Sequence, residues 1–480
     1  MARKIRTPAN QTRYTGCPSK GWQQVIEAKT APEVKGRVSP VYMLLISMVA
    51  ALGGMMFGFD VGIISGAAPF VQEHFRLNEL QLGWGVSSLL AGCMFGAMFA
   101  GRMADAFGRK RTLLSIALVF AFTSVLTAIA PEFSWFVAAR FVGGLAVGAA
   151  SMVSPLYIAE ASPYAMRGRL VALNQLAITM GILISYLINY LLRGAGADNW
   201  RWMFLTGVFP SVLFFVLLFL VPESPRWLFR AGKQDEAYSV LVRVGGIENA
   251  EKELSAMRAP RREEAASLRD LLLPRNRRVL LVGIVLAILV QITGINTIID
   301  YAPIILRSTG NTIDVALFQT FIIGIINFAL TFVAIFTVDW IGRRALYIAG
   351  ASGMAVSLTL LSAGFLLGKV QGLVGLILIL VFIASFAGCI GPVYWILMSE
   401  IFPSRIRGLA MSAAVFTCWL ANFLVVLLFP WMLKNAGGSA TFGFLAVMSL
   451  VMIFFTWKMV PETSGRTLEE IERHWEGFAC

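Results

Sequence analysis

Twelve long apolar blocks run through this 480-residue chain, and polar stretches of uneven length separate them. Hydrophobic residues make up 58% of the sequence and charged residues 14%, whereas an average soluble domain has about 25% charged residues. A single soluble core does not bury so much apolar surface, so we interpret the blocks as membrane-spanning segments. The bilayer core favours helices because it offers backbone groups no water, and a transmembrane barrel would show short alternating segments instead. Spanning helices are predicted over residues 41–66, 82–103, 112–130, 135–158, 170–192, 202–221, 278–305, 316–338, 345–367, 372–398, 409–429 and 440–459.

Basic residues are distributed unevenly between these blocks. The net charge is +13, and 33 of the 40 Lys and Arg residues lie before the first block, after the last or in alternate loops, with the largest group at 222–278. Such a bias orients a membrane protein with its basic segments in the cytoplasm. We therefore expect both termini and the central loop to be cytoplasmic. The charge is an orientation signal here rather than a nucleic-acid surface.

The second part of the chain repeats motifs of the first part. The pattern Asp-x-x-Gly-Arg at 105–109 recurs at 339–343, and Pro-Glu-Ser at 222–224 recurs as Pro-Glu-Thr at 461–463. Two copies indicate duplicated six-helix halves, which in transporters surround a site near the membrane midplane. The predicted fold is an all-α membrane protein of twelve transmembrane helices in two pseudo-symmetric halves. Its segments are a tail at 1–40, a first half at 41–221, a linker with short helices at 222–277, a second half at 278–460 and a tail at 461–480.

Charged residues occupy matching positions in the cytoplasmic loops of the two halves. Glycines there let helix ends approach closely, and a carboxylate is stabilised beside a helix N-terminus or an arginine. We predict ion pairs between the halves that hold the cytoplasmic side shut and break when it opens. A plain positively charged loop is the alternative. The candidates are Arg102, Asp105, Arg109, Glu160, Arg167, Asp339, Arg343, Glu400 and Arg407.

Three further motifs give the chain a family resemblance: Pro-Glu-Ser-Pro-Arg-Trp-Leu at 222–228, Gln-Ile-Thr-Gly-Ile-Asn at 291–296 and Pro-Glu-Thr at 461–463. With the paired loops, they make the sequence resemble the sugar porter family of the major facilitator superfamily over about residues 41–472, especially its xylose-type sugar–proton symporters. The resemblance implies the major facilitator fold and alternating access. It also implies a monomer in a bacterial inner membrane that imports a neutral sugar or cyclitol, with a proton as coupling ion and no cofactor.

Two ionisable residues lie deep within the predicted spans, Asp60 in the first block and Arg140 in the fourth. On insertion scales each costs about 2.5–3.5 kcal/mol at the membrane centre, so we expect them to pair. A movement that changes their contact could load or release a proton. In symporters similar to this chain the aspartate couples the proton and the arginine is its partner, whereas similar facilitators have asparagine. A purely structural pair is the alternative, and Gly207 stands where xylose-type symporters have a further glutamate.

A second set of side chains is predicted to bind the substrate. Carboxamides donate and accept hydrogen bonds as sugar hydroxyls do, an indole packs on a pyranose ring, and the family contacts its sugar at matching positions. Bonding between helices is the alternative role of the amides. Asp300, where the family usually has tyrosine, could bind a hydroxyl, titrate or face water at the outer mouth. Val290 and Ile390 replace a glutamine and a tryptophan of the family. The candidates are Gln175, Gln291, Asn296, Asn327, Trp419 and Asp300.

The sequence favours a transporter over other functional classes. We expect proton-coupled sugar symport through Asp60 and Arg140, with a sugar uniporter as the first alternative and a transporter-like sugar sensor as the second. A phosphate exchanger would need several buried cations, and only Arg140 lies deep. An enzyme is not expected, because the sequence has no nucleophile–base pair and no metal-ligand spacing among its five cysteines and two histidines. The predicted partners are a sugar, a proton and the bilayer, with no metal and no nucleic acid.

Overall fold

The residues described by the computed structural model are 40–163, 166–258, 268–271, 273–403, 405–464, 470, 471 and 475. For residues 40, 268, 274, 275 and 336–340 the description covers the backbone alone. Nearly all of the predicted tail at 1–40 lies outside the described residues, as does most of the chain after residue 464.

The apolar blocks of the first half form helices, and several run beyond their predicted ends. The first helix continues past residue 66 to Phe75. The second begins in a capping box, in which Asn78 and Gln81 each accept a hydrogen bond from the other's backbone N–H at 2.9 Å. The sixth block is interrupted at Gly207 and forms two helices. The helices are α1 (Pro40–Phe75), α2 (Glu79–Phe107), α3 (Arg109–Ala128), α4 (Phe133–Ala161), α5 (Arg167–Leu192), α6 (Asn199–Leu205) and α7 (Val208–Leu218).

The linker between the halves contains short helices, as predicted. In its longest helical segment, Gln234–Arg258, Gly246 has a non-helical backbone with φ of 82°, which favours glycine, so two shorter helices meet there at a kink. A small core beside the main one is formed by Leu241, Val242, Ala250 and Leu254. The linker helices are α8 (Pro225–Arg230), α9 (Gln234–Arg258) and α10 (Leu268–Leu271).

The second half repeats the arrangement with more interruptions. The seventh block breaks at Gly294 and again at Tyr301, and the tenth contains a π-helical turn, Phe386–Ile390, just before Pro392. Proline lacks the N–H of a regular helix, which accounts for an irregular ladder at that point. The helices are α11 (Pro274–Ile292), α12 (Ile295–Asp300), α13 (Ala302–Ser308), α14 (Ile313–Ile341), α15 (Arg343–Leu366), α16 (Leu373–Ser385), α17 (Gly391–Ile401), α18 (Arg407–Asn435) and α19 (Gly437–Met459). Within the described residues, twelve helical segments are long and apolar enough to span a membrane.

The halves are in close contact at one end of the bundle. We call the end that carries α8–α10 the linker end, and the opposite one the far end. At the far end α2 packs on α18 so tightly that a Cβ at Gly83 would lie 2.0 Å from the carbonyl oxygen of Leu427. Two ion pairs join the halves there, Arg193–Asp314 and Glu79–Lys434. The far end is therefore closed.

Candidate functional site

Asp60 of α1 and Arg140 of α4 form a buried ion pair inside the first half. Two guanidinium nitrogens donate to the two carboxylate oxygens at 3.1 and 3.3 Å, the bidentate geometry that arginine favours. The Nε of Arg140 donates to the Gly85 carbonyl at 3.2 Å, and the rings of Phe136 and Phe204 flank the guanidinium. Arg140 is 2% exposed and Asp60 is 9% exposed. The predicted pairing is present, and its part in proton coupling stays a prediction.

Asp300 lies at the end of α12 and is only 3% exposed. Of its three possible roles, an exposed position in water at the outer mouth does not agree with this burial, because α12 docks onto the first half. The carbonyl of Ile299 accepts hydrogen bonds from the hydroxyls of Ser65 in α1 and Tyr186 in α5, both at 2.8 Å. Gly294, with φ of 88°, makes the turn into α12. Substrate binding and titration remain the open roles of this carboxylate.

A chain of hydrogen bonds joins three polar side chains of the second half. Asn296 Nδ2 donates to Gln291 Oε1 at 2.8 Å, and Gln291 Nε2 donates to Cys418 Sγ at 3.0 Å. Both amides are half-buried. Beside them, the Trp419 ring meets Phe57 of the first half edge to face, with centroids 5.4 Å apart. This cluster combines amide donors, amide acceptors and an indole, which suit a hydroxylated ring.

Gln175 and Asn327 are not drawn into that cluster. Gln175 of α5 is half-buried, and Asn327 of α14 is 5% exposed. Neither amide has a hydrogen-bond partner among the residues that the structure describes. No hydrogen bond among the described residues therefore supports their alternative role as links between helices. Their contact with substrate stays a prediction.

Three positions that depart from the family pattern lie in closely packed surroundings. Val290 is 3% exposed and Ile390 is fully buried, so both belong to the apolar core. Gly207 lies at the break between α6 and α7, where a Cβ would come 2.8 Å from the hydroxyl of Ser124. None of these residues adds a polar side chain to the candidate site.

The repeated Pro-Glu motif caps a helix in each half. Glu223 accepts a hydrogen bond from the Lys110 backbone N–H at 3.0 Å, in the first turn of α3. Glu462 accepts from the N–H groups of Arg343 and Arg344 at 2.9 and 3.1 Å, in the first turn of α15. A carboxylate satisfies unpaired N–H groups at a helix N-terminus and complements its dipole. The motif is therefore structural in both halves.

The glycine of the Asp-x-x-Gly-Arg pattern makes room for these caps. Gly108 and Gly342 have φ of 95° and 94°, which favours glycine. A Cβ at Gly108 would lie 2.3 Å from an oxygen of Glu223, and one at Gly342 would lie 2.9 Å from an oxygen of Glu462. Each position thus requires glycine for two reasons: its φ is positive, and a Cβ would clash with the neighbouring carboxylate.

The charged residues at the linker end of the first half pair within that half. Arg109 Nε and Nη2 contact the two oxygens of buried Glu160 at 2.8 and 2.9 Å, and Ser224 donates to the same carboxylate at 2.5 Å. Asp105 contacts Arg109 at 2.9 Å and Arg230 of the linker at 3.5 Å. The helix N-terminus expected beside Asp105 is occupied by a different acid, the motif glutamate described above.

The matching pairs of the second half are looser. Arg343 contacts Glu400 at 3.6 Å, and Arg407 Nε donates to the Phe402 carbonyl at 3.2 Å. The side chain of Asp339 lies outside the described residues. These contacts again lie within one half.

Two remaining candidates also differ from the expected pairing between halves. Arg167 contacts Glu253 of the linker helix α9 at 3.4 Å. Arg102 is exposed and forms no ion pair with any described residue. The reason for the difference is local: the glycine turn places Arg109 in the first turn of α3, beside α4 of its own half. The ion pairs given above for the predicted gating residues thus lie within a half or between a half and the linker.

Sequence reasoning missed the side chains that join the halves near Asp300. Ser65 and Tyr186 lie within apolar spans, where a hydroxyl commonly bonds to its own helix. No feature of the sequence indicates that both hydroxyls donate to the carbonyl of Ile299 in another helix. Glu223 does have a sequence signal, because its motif is repeated, but the motif does not indicate that it accepts a hydrogen bond from the Lys110 backbone N–H. Among the described residues, no group of three His, Cys, Asp or Glu side chains could hold a metal ion.

The model of a family described as "Sugar (and other) transporter" matches residues 46–475. The chain belongs to this family of sugar porters. A relative of this sugar porter is the arabinose-proton symporter of Bacillus subtilis, 36% identical over 441 residues, which cover 90% of this chain and 95% of the relative. The D-xylose-proton symporter of Escherichia coli is 39% identical over 477 residues, with coverage of 91% and 96%. The predicted family is confirmed.

The fold is confirmed by a solved structure as well. The E. coli xylose transporter in an inward open conformation matches this sugar porter with a TM-score of 0.80 and 37% sequence identity. The match covers 90% of this chain and 100% of the other. The sugar porter is therefore an integral membrane transporter with the major facilitator fold of two six-helix halves.

Proposed function

We propose that this sugar porter is a secondary active transporter that imports a neutral monosaccharide or cyclitol together with a proton. The observation that carries the proposal is the buried bidentate pair between Asp60 and Arg140. A charged pair this deep costs desolvation energy, and pure facilitation of a neutral solute does not require one. The named activities of two relatives, arabinose–proton and xylose–proton symport, support the same proposal.

The proposed proton step uses the residues of this pair. Asp60 takes a proton from water as its carboxylate becomes a carboxylic acid, and it gives the proton back on the other side. Arg140 stays protonated throughout. When Asp60 is neutral, the guanidinium retains the Gly85 carbonyl and the two flanking aromatic rings. Proton binding therefore weakens the ion pair, while Arg140 keeps a hydrogen bond and its aromatic contacts.

The amide cluster is the proposed site of the sugar. Gln291 and Asn296 present donors and acceptors to hydroxyl groups, and Trp419 presents an apolar ring face. An uncharged substrate fits this cluster, since Arg140 is already engaged by Asp60. Gln175 and Asn327 complete the proposed contacts from α5 and α14. No bond of the substrate changes during transport, so the protein is not proposed as an enzyme.

Alternating access requires that the two ends of the bundle open in turn. The far end is closed here by α2 against α18 and by two ion pairs between the halves. We assign the basic linker end to the cytoplasm of a bacterial cell, by the distribution of Lys and Arg. The transporter is proposed to work as a monomer in the inner membrane, with the proton as its coupling ion and no other cofactor.

Proteoliposomes with an imposed pH gradient test the proposal. D-xylose, L-arabinose, D-glucose and myo-inositol are offered separately, with the lumen more alkaline than the medium. At least one solute should accumulate above its external concentration, and a protonophore should abolish the accumulation. Asp60→Asn should exchange that solute but not concentrate it. Asp314→Asn, an acidic residue of the far end, serves as control and should still concentrate it.

Two results would replace the proposal by its alternatives. Uptake that stops at equilibrium and ignores the pH gradient would make the protein a uniporter. Binding of a sugar without any flux would support a sensor. Accumulation retained in Asp60→Asn would place the coupling group elsewhere while leaving symport intact.

A further inference from the structure

Asp300 is a buried carboxylate near the end of α12. It is 3% exposed, and no described residue donates a hydrogen bond or forms an ion pair to it. We propose that Asp300 is the second-half member of the proton-coupling unit, sharing one proton with Asp60 around Arg140. This inference rests on the proposed proton symport and deepens it, because it adds a second titrating carboxylate to the pair of Asp60 and Arg140.

The geometry holds Asp300 against the half that carries the ion pair. The carbonyl of the residue before it accepts hydrogen bonds from Ser65 and Tyr186 of the first half, both at 2.8 Å. Ser65 lies little more than one helical turn beyond Asp60 on α1. These bonds bring the end of α12 to the level of the pair, and Arg140 and Asp60 are the charged groups whose fields act on Asp300.

Three hydroxyl groups near Asp300 already donate to other acceptors. Tyr186 and Ser65 both donate to the Ile299 carbonyl, and Tyr301 donates to the Val426 carbonyl at 3.0 Å. Each hydroxyl has a single proton to donate. The two tyrosines are also the titratable neighbours of Asp300, on α5 and at the start of α13. Since neither phenol donates to the carboxylate, Asp300 is left able to take up a proton from water.

Counting charges gives the number of protons. With Asp60 and Asp300 both ionised, the unit of two carboxylates and one guanidinium has a net charge of −1. An uncompensated charge in a buried site is strongly unfavourable. One proton from water, forming an O–H bond on either carboxylate, restores neutrality, and its return to water restores the charge. The unit therefore takes up one proton per cycle, with no other reactant.

The unit also spans the boundary between the halves. Asp60 and Arg140 belong to the first half and Asp300 to the second, so a rearrangement of the halves changes the distance between Asp300 and Arg140. The field of the guanidinium at Asp300 changes with that distance. Sugar-driven movement of the second half is in this way converted into binding or release of the proton.

The test compares Asp300→Asn, Asp300→Glu and Asp300→Tyr with the wild type in proteoliposomes. Each of the four solutes named above is offered to vesicles that contain a pH-sensitive dye, and sugar-driven proton entry and the pH profile of sugar exchange are recorded. Asp314→Asn on α14 is the matched control, since it removes an acid of the second half at the exposed far end.

Asp300→Asn and Asp300→Tyr should retain exchange, with a pH profile whose midpoint moves by about one pH unit or more. Asp300→Glu should keep proton entry, because it keeps a titrating group, and it provides the test if the other variants fail to fold. Asp314→Asn should have the wild-type profile. An unchanged profile and unchanged proton entry in Asp300→Asn would overturn the inference while leaving symport in place. Absence of sugar-driven proton entry in the wild type would overturn symport itself, before any variant is compared.

Discussion

In the candidate site the first half contributes the charged pair and the amide of Gln175, whereas the second half contributes other amides, an indole, a thiol and one carboxylate. Asp60 of α1 pairs with Arg140 of α4, and the second half contains the hydrogen-bonded chain from Asn296 through Gln291 to Cys418. The linker ends differ as well, since the pair of Arg109 and Glu160 is closer and more buried than its counterpart.

This difference shows what a duplicated fold keeps and what it changes. The glutamate caps on α3 and α15 are the same in both halves, because each helix start has the same unpaired N–H groups. The interiors diverged because a site between two halves needs no symmetry. Proton coupling and sugar recognition are therefore expected to respond to different substitutions, and the following predictions test that separation.

The largest effect is expected for Arg140→Leu. Removing the guanidinium leaves Asp60 buried without a counter-ion, which costs about 3–5 kcal/mol of stability. Thermal unfolding in detergent should show a large decrease in Tm, and accumulation of sugar should disappear. Adding Asp60→Asn to the same chain should restore most of the Tm. Arg193→Leu, at the exposed far end, is the control, and an equal loss in that variant would contradict the role of burial.

Breaking the ion pair at the linker end should cost more stability in the first half than in the second. Glu160→Gln breaks a buried two-bond pair with Arg109 and should lower stability by about 2 kcal/mol. Glu400→Gln affects a contact of 3.6 Å with more exposed side chains and should cost about 1 kcal/mol or less. Unfolding of both variants is followed under one set of conditions. Equal losses would show that the looser geometry of the second half has no energetic meaning.

Gln291→Ala should weaken sugar binding by about tenfold. The change removes an amide that holds Asn296 and faces the proposed substrate, and one hydrogen bond of this kind corresponds to about 1.4 kcal/mol. KM for uptake should rise while the pH profile stays that of the wild type. Thr293→Val, in the same chain segment, removes a hydroxyl bonded only to the local backbone and should leave KM nearly unchanged. A shifted pH profile in Gln291→Ala would contradict the separation of sugar recognition from proton coupling.

The smallest effect is expected for Asp314→Asn. This residue joins the halves at the far end by an ion pair with Arg193, and the two side chains are 65% and 32% exposed. Exposed pairs contribute about 0.2–1 kcal/mol and weaken with salt. The transport rate should change by less than about twofold at physiological salt, with a larger change at low ionic strength. A loss of transport would mean that this pair, rather than backbone packing near Gly83, holds the far end closed.

Much of the fold follows from the sequence because its signals are long-range averages. An apolar block of spanning length has one stable form in lipid, so hydropathy predicts the twelve spans. The breaks at Gly207 and Gly294 were not predicted, since a glycine is tolerated inside a span and only its neighbours decide whether the chain turns there.

The candidate site was predictable to a different extent for each residue. Asp60 and Arg140 were expected to pair because a buried charge needs a counter-ion, and they do. The sequence leaves three roles open for Asp300, because its burial depends on α12 docking onto the other half through Ser65 and Tyr186. The charged loops predicted to pair between the halves have the contacts described above within a half or with the linker, since spacing identifies a charge but not the direction of its side chain.

The glutamate caps also set an order of assembly. The first turn of α3 is synthesised before its cap, since Glu223 follows Lys110 by 113 positions, and Glu462 follows Arg343 by 119. Until those positions leave the ribosome, each helix start has open N–H groups. Each cap thus comes from a residue that follows the last helix of its half, so the start of α3 or α15 is capped only after all helices of that half have been synthesised.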